Sequence, residues 1–202
     1  MGVLPVNMAG GEGTRLRPLT VSRPKPMIPV ANKPILEYLI EHLKQHGFRE
    51  IGITLHYLPS SIVNYFGDGS RFGVELHYSI EEDKPLGTAG GVKLLVEKLG
   101  WLGETIIVLS GDVLTDLDLA NLIEIHKKNG SVFTMAVRRV SDPTRYGIAL
   151  LDGDGRVVKF AEKPQWSQVF SDLANMGVYV IEPEAIKYIP SNVEYDFAKN
   201  LI

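Results

Sequence analysis

The chain has 202 residues, of which 45% are hydrophobic and 22% charged, and its formal net charge is −3. This profile is typical of a globular domain that can bury a core, and it excludes a disordered or collagen-like chain. The mild acidity disfavours a nucleic-acid binder held by backbone phosphates, and the absence of cysteine excludes disulfides and thiolate metal sites. No apolar run reaches the ~20 residues of a membrane span, and the start lacks the basic segment of a secretory signal. We therefore expect a cytoplasmic enzyme or binding domain with no membrane or nucleic-acid partner.

Short β-rich runs alternate with helical stretches over roughly the first 140 residues. The predicted strands are 3–8, 51–55, 74–80, 105–109 and 132–137, and the predicted helices are 34–46, 61–66, 88–99 and 119–129. Asp118 is placed to cap the last of these helices and Gly130 to end it. This βαβα order predicts a Rossmann-like, doubly wound and mostly parallel sheet.

The pattern changes after residue 140. Two short strands, 148–151 and 156–161, flank the turn 152–155 and predict a hairpin. A strand over 174–181, a short helix over 183–189 and an amphipathic helix over 195–202 follow. We expect these strands to form a small antiparallel extension at the edge of the sheet, within one α/β domain over 1–202. The last helix lacks a stop signal, which predicts a domain that continues beyond residue 202.

The densest chemistry lies in the loop after the first strand. Its sequence is Gly10-Gly11-Glu12-Gly13-Thr14-Arg15-Leu16-Arg17-Pro18-Leu19-Thr20, followed by Arg23-Pro24-Lys25-Pro26-Met27. Glycines let backbone N–H groups approach an anion, and four cations follow within a proline-stiffened segment. The string lacks the Gly-Lys-Ser/Thr ending of a P-loop, and Leu16 stands where a dinucleotide loop needs its third glycine. The sequence therefore predicts a phosphate-binding loop of another kind.

These two strings resemble the sugar-nucleotide pyrophosphorylases, nucleotidyltransferases that join a sugar 1-phosphate to a nucleoside triphosphate. Later strings fall in the family's order: Gly87-Thr88-Ala89-Gly90, Gly111-Asp112, Tyr146-Gly147 and Glu162-Lys163-Pro164. Within the family, residues 85–91 are most similar to the mannose-1-phosphate guanylyltransferase branch. The chain departs from the family's pattern in two ways. Pro5 and Asn7 interrupt the first strand, which predicts a late start or a different register. Family members also generally continue past this endpoint.

The resemblance implies roles for individual residues. Arg15 would stabilise the leaving pyrophosphate, and Lys25 would neutralise phosphate charge, whereas Arg17 and Arg23 are weaker candidates. Asp112 follows the buried strand 105–109 at the sheet edge where α/β folds bind ligands, so it is the expected catalytic carboxylate and Mg²⁺ ligand. Asp196 is the candidate for a second Mg²⁺ carboxylate. The predicted nucleotide-binding residues are Ala9, Gly10, Gly11, Gly13, Thr14, Pro85, Gly87, Thr88 and Ala89. The predicted sugar-phosphate-binding residues are Gly147, Glu162, Lys163, Asn175 and Gly177.

The reaction that this resemblance implies is attack of a sugar-phosphate oxygen on the α-phosphorus, with GTP and mannose 1-phosphate yielding GDP-mannose. UTP or dTTP with glucose 1-phosphate is the runner-up pair. Two further hypotheses are a catalytically silent nucleotide-sugar-binding regulatory subunit and an incomplete catalytic domain, and a homo-oligomer is compatible with each of these functions. The histidines, which show no metal-ligand spacing, are expected at the surface or its boundary: His42, His46, His56, His77 and His126.

Overall fold

The computed structural model describes residues 2–82 and 84–202, which form a layered α/β structure around one eight-stranded sheet. In chain order the strands are β1 (Val3–Met8), β2 (Pro29–Val30), β3 (Lys33–Pro34), β4 (Glu50–Leu55), β5 (Glu75–Ile80), β6 (Thr105–Ser110), β7 (Phe133–Arg139), β8 (Gly147–Leu151), β9 (Val157–Glu162) and β10 (Leu173–Ile181). The helices are α1 (Ile35–Gln45), α2 (Pro59–Phe66), α3 (Gly87–Leu99), α4 (Leu119–Asn129) and α5 (Pro183–Lys187). Strands β2 and β3 form a separate two-stranded ribbon.

The first half of the sheet is parallel, in the order β5-β4-β1-β6. The central strand β6 is apolar at consecutive positions, and successive side chains point to opposite faces: Ile107 and Leu109 join the core of one face, and Ile106 and Val108 that of the other. Helices α1, α2 and α4 cover one face, where Leu39 of α1 packs in the same cluster as Ile53 of β4. Helices α3 and α5 cover the other face, where Leu95 of α3 packs in the same cluster as Val108 of β6. The predicted mixed, mostly parallel and Rossmann-like sheet is confirmed.

Strand β10 begins the predicted antiparallel extension at the edge of the parallel half, but it is an interior strand of the whole sheet, because β7 also pairs with it. It runs antiparallel between β6 and β7, pairing Tyr179 with Val108 on one side and with Met135 on the other. The run Val178 to Ile181 is apolar and buried throughout, so it suits an interior strand with both faces covered. Strands β8 and β9 do form the predicted antiparallel hairpin beyond β10.

The first strand starts at Val3, so the late start expected from Pro5 was wrong. Pro5 pairs with Ile107 of β6, whereas pairing with β4 begins only at Val6. Pro5 therefore pairs with one neighbouring strand rather than two, which reduces the cost of its missing N–H group. Asn7 is fully buried, and neither polar atom of its side chain has a hydrogen-bond partner among the described residues.

The final segment is not the amphipathic helix expected over 195–202. Only Phe197–Leu201 forms a helical turn, of the π type; Asp196 before it is extended, and Tyr195 lies outside the turn. The carbonyl oxygen of Tyr195 accepts hydrogen bonds from the backbone N–H groups of Ala89 and Gly90, both at 2.9 Å. These tertiary bonds hold Tyr195 outside the helix and join the end of the chain to the start of α3.

His126 is 1% exposed, which corrects its expected surface position. Its Nε2 lies 2.9 Å from Oε1 of Glu182, and its Nδ1 lies 2.7 Å from Oγ1 of Thr134. The apolar positions of α4 predict the buried face of this helix but do not reveal that His126 finds polar partners there. Among the described residues, no helix is both long and apolar enough to cross a membrane.

Candidate active site

Two adjoining cavities open where β1 and β6 end. The first, called the loop cavity, has a volume of about 320 Å³ and is lined by the first loop together with residues at or just after the ends of β4 and β5 and at the start of α3. The second, called the hairpin cavity, has a volume of about 590 Å³ and is lined by residues from β7 to β10. Four residues line both cavities: Arg15, Thr88, Ser110 and Asp196. The cavities therefore meet beside one cation and one carboxylate.

The first loop folds back on itself so that Lys25 faces the loop cavity. Gly13 has a φ of +63° and precedes the 3₁₀ turn Thr14–Leu16 that carries Arg15. A Cβ on Gly13 would lie 3.0 Å from Cβ of Lys25, so glycine supplies both the left-handed backbone and the space. Thr20 donates a hydrogen bond from its hydroxyl to the carbonyl oxygen of Gly13 at 3.0 Å and closes the loop.

Asp112 is held at the end of β6 by a close approach to β1. The N–H of Gly111 donates to the carbonyl oxygen of Met8 at 2.8 Å, and a Cβ on Gly111 would lie 2.8 Å from that oxygen. The Asp112 carboxylate accepts a hydrogen bond from the Ser110 hydroxyl at 2.6 Å and is paired with the Lys25 ammonium. Burial alone would raise the pKa of Asp112, but the hydrogen bonds from Lys25 and Ser110 and the charge of Lys25 lower it overall. Asp112 is therefore ionised.

Asp196 reaches the same site from the other end of the sequence. Its Oδ1 accepts hydrogen bonds from the N–H of Thr88 at 3.1 Å and from the Thr88 hydroxyl at 3.0 Å. Lys199 lies 3.2 Å from its Oδ2. Burial opposes ionisation of Asp196, yet the donors on Thr88 and Lys199 prevail and lower its pKa. Asp196 thus caps the start of α3 and adds a second ionised carboxylate to the loop cavity.

The hairpin cavity contains all five residues predicted to bind the sugar phosphate: Gly147, Glu162, Lys163, Asn175 and Gly177. Lys163 is paired with Glu162 at 2.9 Å, and a Cβ on Gly147 would lie 2.7 Å from the Glu162 carboxylate. The Asn175 amide donates to the Tyr179 hydroxyl at 2.7 Å, and its Oδ1 accepts from the N–H of Gly177 at 2.8 Å. The pairing of β8 with β9 and the irregular stretch of β10 bring these residues together.

Two predicted nucleotide-binding residues line neither cavity. Thr14 is exposed, because the 3₁₀ turn directs Arg15 rather than Thr14 toward the site. Ala89 is fully buried, and its N–H is already bonded to the carbonyl oxygen of Tyr195. Of the weaker candidates, Arg17 is paired with Glu12 at 3.4 Å on the surface, and Arg23 is exposed. The remaining predicted nucleotide-binding residues line the loop cavity: Ala9, Gly10, Gly11, Gly13, Pro85, Gly87 and Thr88.

Sequence reasoning missed four charged residues of the two cavities. Arg138, Arg145 and Lys199 line the hairpin cavity, which adds to the positive charge of Arg15 and Lys163. Only the tertiary packing of β7, the turn before β8 and the last segment brings these three together. Glu81 lines the loop cavity and directly follows β5. A charged residue at the carboxyl end of a predicted strand is the signal that could have found Glu81, since the same position at the end of 105–109 indicated Asp112.

The donor set of the loop cavity fits a divalent cation held together with phosphate groups. Asp112 and Asp196 both line this cavity and are both ionised. Within residues 2–82 and 84–202 no group of three or more His, Asp or Glu side chains converges on one point. Mg²⁺ suits such a site, because it commonly takes one or two carboxylates and completes its shell with water and substrate phosphates.

A glycine-rich loop, a cationic cleft and carboxylates at the carboxyl edge of a parallel sheet are features typical of α/β domains that bind phosphorylated ligands. The family model for nucleotidyl transferases matches residues 4–202. The chain therefore belongs to the nucleotidyl transferase family.

Curated relatives and a solved structure agree with this family. The chain is 41% identical to a UTP–glucose-1-phosphate uridylyltransferase from Synechocystis sp., over 96% of this chain and 53% of that protein. It is 40% identical to a mannose-1-phosphate guanylyltransferase from Mycobacterium tuberculosis, over 94% of this chain and 51% of that protein. The structure of HddC from Yersinia pseudotuberculosis complexed with GMP-PN superposes with a TM-score of 0.81 at 28% identity, over 100% of this chain and 85% of HddC. The chain spans about half the length of the two curated relatives.

Proposed function

We propose that this chain transfers a nucleotidyl group from a nucleoside triphosphate to a sugar 1-phosphate and releases pyrophosphate. The observation that carries the proposal is the junction of the two cavities, where Arg15, Thr88, Ser110 and Asp196 line both. A triphosphate in the loop cavity and a sugar phosphate in the hairpin cavity would bring their reacting groups together at this junction. The names of the two curated relatives support the same reaction class.

The chemistry is a direct displacement at phosphorus. An oxygen of the sugar phosphate forms a bond to the α-phosphorus, and the bond from that phosphorus to the bridging oxygen of pyrophosphate breaks. The leaving group carries the electron pair away, and no covalent bond to the protein forms. The main obstacle is repulsion between two polyanions, since two like charges ~4 Å apart cost about 4 kcal/mol at an effective dielectric of ~20. That energy corresponds to roughly a thousandfold in rate, so cations should contribute more than an acid–base pair.

The residues of the junction have complementary roles in this proposal. Arg15 binds the triphosphate and stabilises the leaving pyrophosphate, because its planar guanidinium matches phosphate oxygens. Lys25, now paired with Asp112, neutralises phosphate charge beside the reacting centre. Asp112 and Asp196 would hold Mg²⁺, which supplies charge stabilisation to the phosphates when bound. Gly10, Gly11 and Gly13 shape the backbone around the phosphates, and Glu162 and Lys163 orient the sugar and its phosphate.

GTP and mannose 1-phosphate are the proposed substrates, with GDP-mannose as the product. Relatives named mannose-1-phosphate guanylyltransferase at 36–40% identity over most of the chain support this pair. The uridylyltransferase relative at 41% identity supports the runner-up pair, UTP or dTTP with glucose 1-phosphate. A catalytically silent regulatory subunit is the third candidate, and the presence of Arg15, Lys25 and Asp112 at one site argues against it.

Pyrophosphate release, measured with Mg²⁺ across a grid of nucleoside triphosphates and sugar 1-phosphates, tests the proposal. We expect release with GTP and mannose 1-phosphate, its loss in Asp112→Ala and its retention in Asp116→Ala. Asp116 is the matched control because it is an exposed aspartate that lines neither cavity. Release with another pair would keep the reaction and replace the substrates. Absence of release across the grid would refute turnover by this chain, and nucleotide binding would then identify a silent binding subunit.

A further inference from the structure

The hairpin cavity carries more positive charge than its own acids neutralise. Its lining contains two carboxylates, Glu162 and Asp196, and five cations: Arg15, Arg138, Arg145, Lys163 and Lys199. Each lysine is paired with one of the carboxylates, at 2.9 and 3.2 Å, so the three arginines are left over. Arg15 belongs to the junction because it also lines the loop cavity, whereas Arg138 and Arg145 line the hairpin cavity alone. These two arginines, called the distal pair, have no part in the phosphate chemistry proposed above.

The distal pair is carried by two strands that flank one small residue of β10. Ala174 is paired with Arg138 of β7 and with Ile148 of β8. Arg145 lies three residues before Ile148, in the 3₁₀ turn Pro143–Arg145 that leads into β8. Ala174 itself lines the cavity and contributes only a methyl group. The fold therefore brings the two arginines to one end of the cavity and leaves room between the strands that carry them.

This end of the cavity is remote from the junction. Gly177 lies beside the junction, because a Cβ on it would lie 3.1 Å from Cβ of Ser110. Ala174 precedes Gly177 by three residues, which span up to about 10 Å of chain. A sugar 1-phosphate whose phosphate lies at the junction would therefore turn the opposite side of its sugar toward the distal pair.

The guanidinium groups of the distal pair lack protein partners. Within residues 2–82 and 84–202, neither has an ion pair or a side-chain hydrogen bond. The next arginine along β7 behaves differently: Arg139 donates to both carboxylate oxygens of Asp172, at 2.6 and 2.8 Å, and does not line the cavity. A guanidinium only donates hydrogen bonds, and its planar fork matches carboxylate and phosphate groups. Two such groups without acids at one end of a cavity favour an anionic ligand group over neutral hydroxyls.

We propose that the distal pair binds a second anionic group on the sugar, so that the hairpin cavity binds sugar 1-phosphates with an anion on C6 more tightly than neutral ones. This inference rests on the proposed function and deepens it, because it extends the class of sugar substrate. Hexose 1,6-bisphosphates carry a phosphate on C6, and the 1-phosphates of uronic acids carry a carboxylate there. Mannose 1-phosphate fits the same cavity without contacting the distal pair.

Calorimetric binding to the full chain tests the proposal. Mannose 1-phosphate, mannose 1,6-bisphosphate and mannuronic acid 1-phosphate are each titrated with Mg²⁺ and the α,β-methylene analogue of GTP or of UTP, in which the bond to the leaving group cannot break. We expect at least one of the two anionic sugars to bind about tenfold or more tightly than mannose 1-phosphate at low salt, and the advantage to shrink as ionic strength rises. The second phosphate end of the bisphosphate accounts for only about twofold by statistics. The sugar that shows the larger advantage identifies the preferred anion.

Substitutions of neighbouring arginines separate the distal pair from general surface charge. Arg138→Gln and Arg145→Gln remove one charge each and keep a long polar side chain, and Arg139→Gln is the matched control. All three residues are exposed, so none of the changes disturbs the core. We expect each distal-pair variant to reduce the advantage of the anionic sugar to about threefold or less, while its affinity for mannose 1-phosphate stays within about twofold. Arg139→Gln should bind all three sugars as the wild type does.

Several outcomes would overturn the assignment. Equal affinity of the wild type for the three sugars, or no binding of any of them, would contradict a second anion site. Equal weakening of mannose 1-phosphate in the distal-pair variants would place these arginines at the 1-phosphate instead. Loss of the advantage in Arg139→Gln as well would indicate unspecific surface attraction.

The failure of this inference is distinguishable from the failure of the proposed function. Pyrophosphate release with mannose 1-phosphate, together with no advantage for the anionic sugars, would refute the second anion site and leave the proposed function standing. The expected binding pattern without pyrophosphate release from any pair of substrates would refute the proposed function and leave the second anion site standing.

Discussion

Asp196 has two roles that different substitutions can separate. Its carboxylate caps α3 through Thr88, and it is also a proposed ligand of Mg²⁺. Asp196→Ala removes both acceptors, whereas Asp196→Asn keeps Oδ1 as an acceptor and removes only the negative charge. We therefore expect the alanine variant to lose stability and activity together, and the asparagine variant to lose activity with little loss of stability.

The expected magnitudes follow from the contacts. Loss of a helix cap costs about 0.5–2 kcal/mol, and each lost hydrogen bond contributes about 1 kcal/mol, so Asp196→Ala should destabilise the protein by about 2 kcal/mol. For a domain of this size that corresponds to a fall in Tm of about 4–8 °C. Asp196→Asn keeps the cap and loses only the pair with Lys199, which is 65% exposed, so its cost should stay below about 1 kcal/mol. Loss of a metal-binding charge should lower kcat by about 100-fold or more in both variants.

Thermal unfolding and pyrophosphate release on the same preparations measure both effects. Glu194→Ala serves as the control, because Glu194 is exposed, is near in sequence and lines neither cavity. If Asp196→Asn keeps its activity within about threefold, the metal role is wrong and Asp196 is a cap alone. If Asp196→Asn is as unstable as Asp196→Ala, the capping argument is wrong.

Three further predictions concern the charge of Arg15, the space beside Gly147 and the pH dependence of stability at Glu81. Arg15→Met should lower kcat/KM by about 100- to 1,000-fold, whereas Arg17→Met, at a surface ion pair, should stay within about threefold; steady-state kinetics on both variants checks this. Gly147→Ala forces the Glu162 carboxylate to move, so the KM for the sugar phosphate should rise about tenfold while the KM for the nucleotide stays unchanged. Equal changes in the two KM values would contradict binding of the two substrates in separate cavities. Burial raises the pKa of Glu81 above its unfolded value, so the stability that this group contributes is present at low pH and is lost as pH rises through the folded pKa. Without nucleotide, Glu81→Gln should therefore have a higher Tm than the wild type near neutral pH and lose this advantage on acidification. A lower Tm of the variant near neutral pH would contradict the upward direction of the pKa shift.

Local patterns in the sequence were sufficient to predict most of the elements. The apolar spacing of α1 and the cap and stop residues of α4 predicted these helices closely, because both signals act within a few residues. The same reasoning placed Asp112 at the end of a buried strand. It missed the ribbon of β2 and β3, whose two short strands follow from a tight turn rather than from a hydrophobic period.

The candidate site was predictable in part for a similar reason. Glycines and cations that lie close together in sequence, as in the first loop, could be assigned to one site from the sequence alone. Ala89 lies outside both cavities, which the sequence did not indicate, because its N–H is bonded to Tyr195, a partner far away in sequence. Arg138, Arg145 and Lys199 were missed because each is an ordinary surface cation until the fold brings them to one cavity.

Sequence patterns alone were enough to predict the alternation of strands and helices and the position of Asp112 at the end of a buried strand, and they are the basis for proposing that the first loop binds phosphate. These features depend on propensities and spacings within about ten residues, which a linear reading can detect. In contrast, the place of β10 beside β6 and the capping of α3 by Asp196, over a separation of 108 residues, became visible only in the folded chain. The folded chain also shows that Glu81 lines the loop cavity. Strand order and long-range hydrogen bonds follow from the packing of both faces of the sheet, so no local pattern encodes which distant partner a strand or a carboxylate will meet.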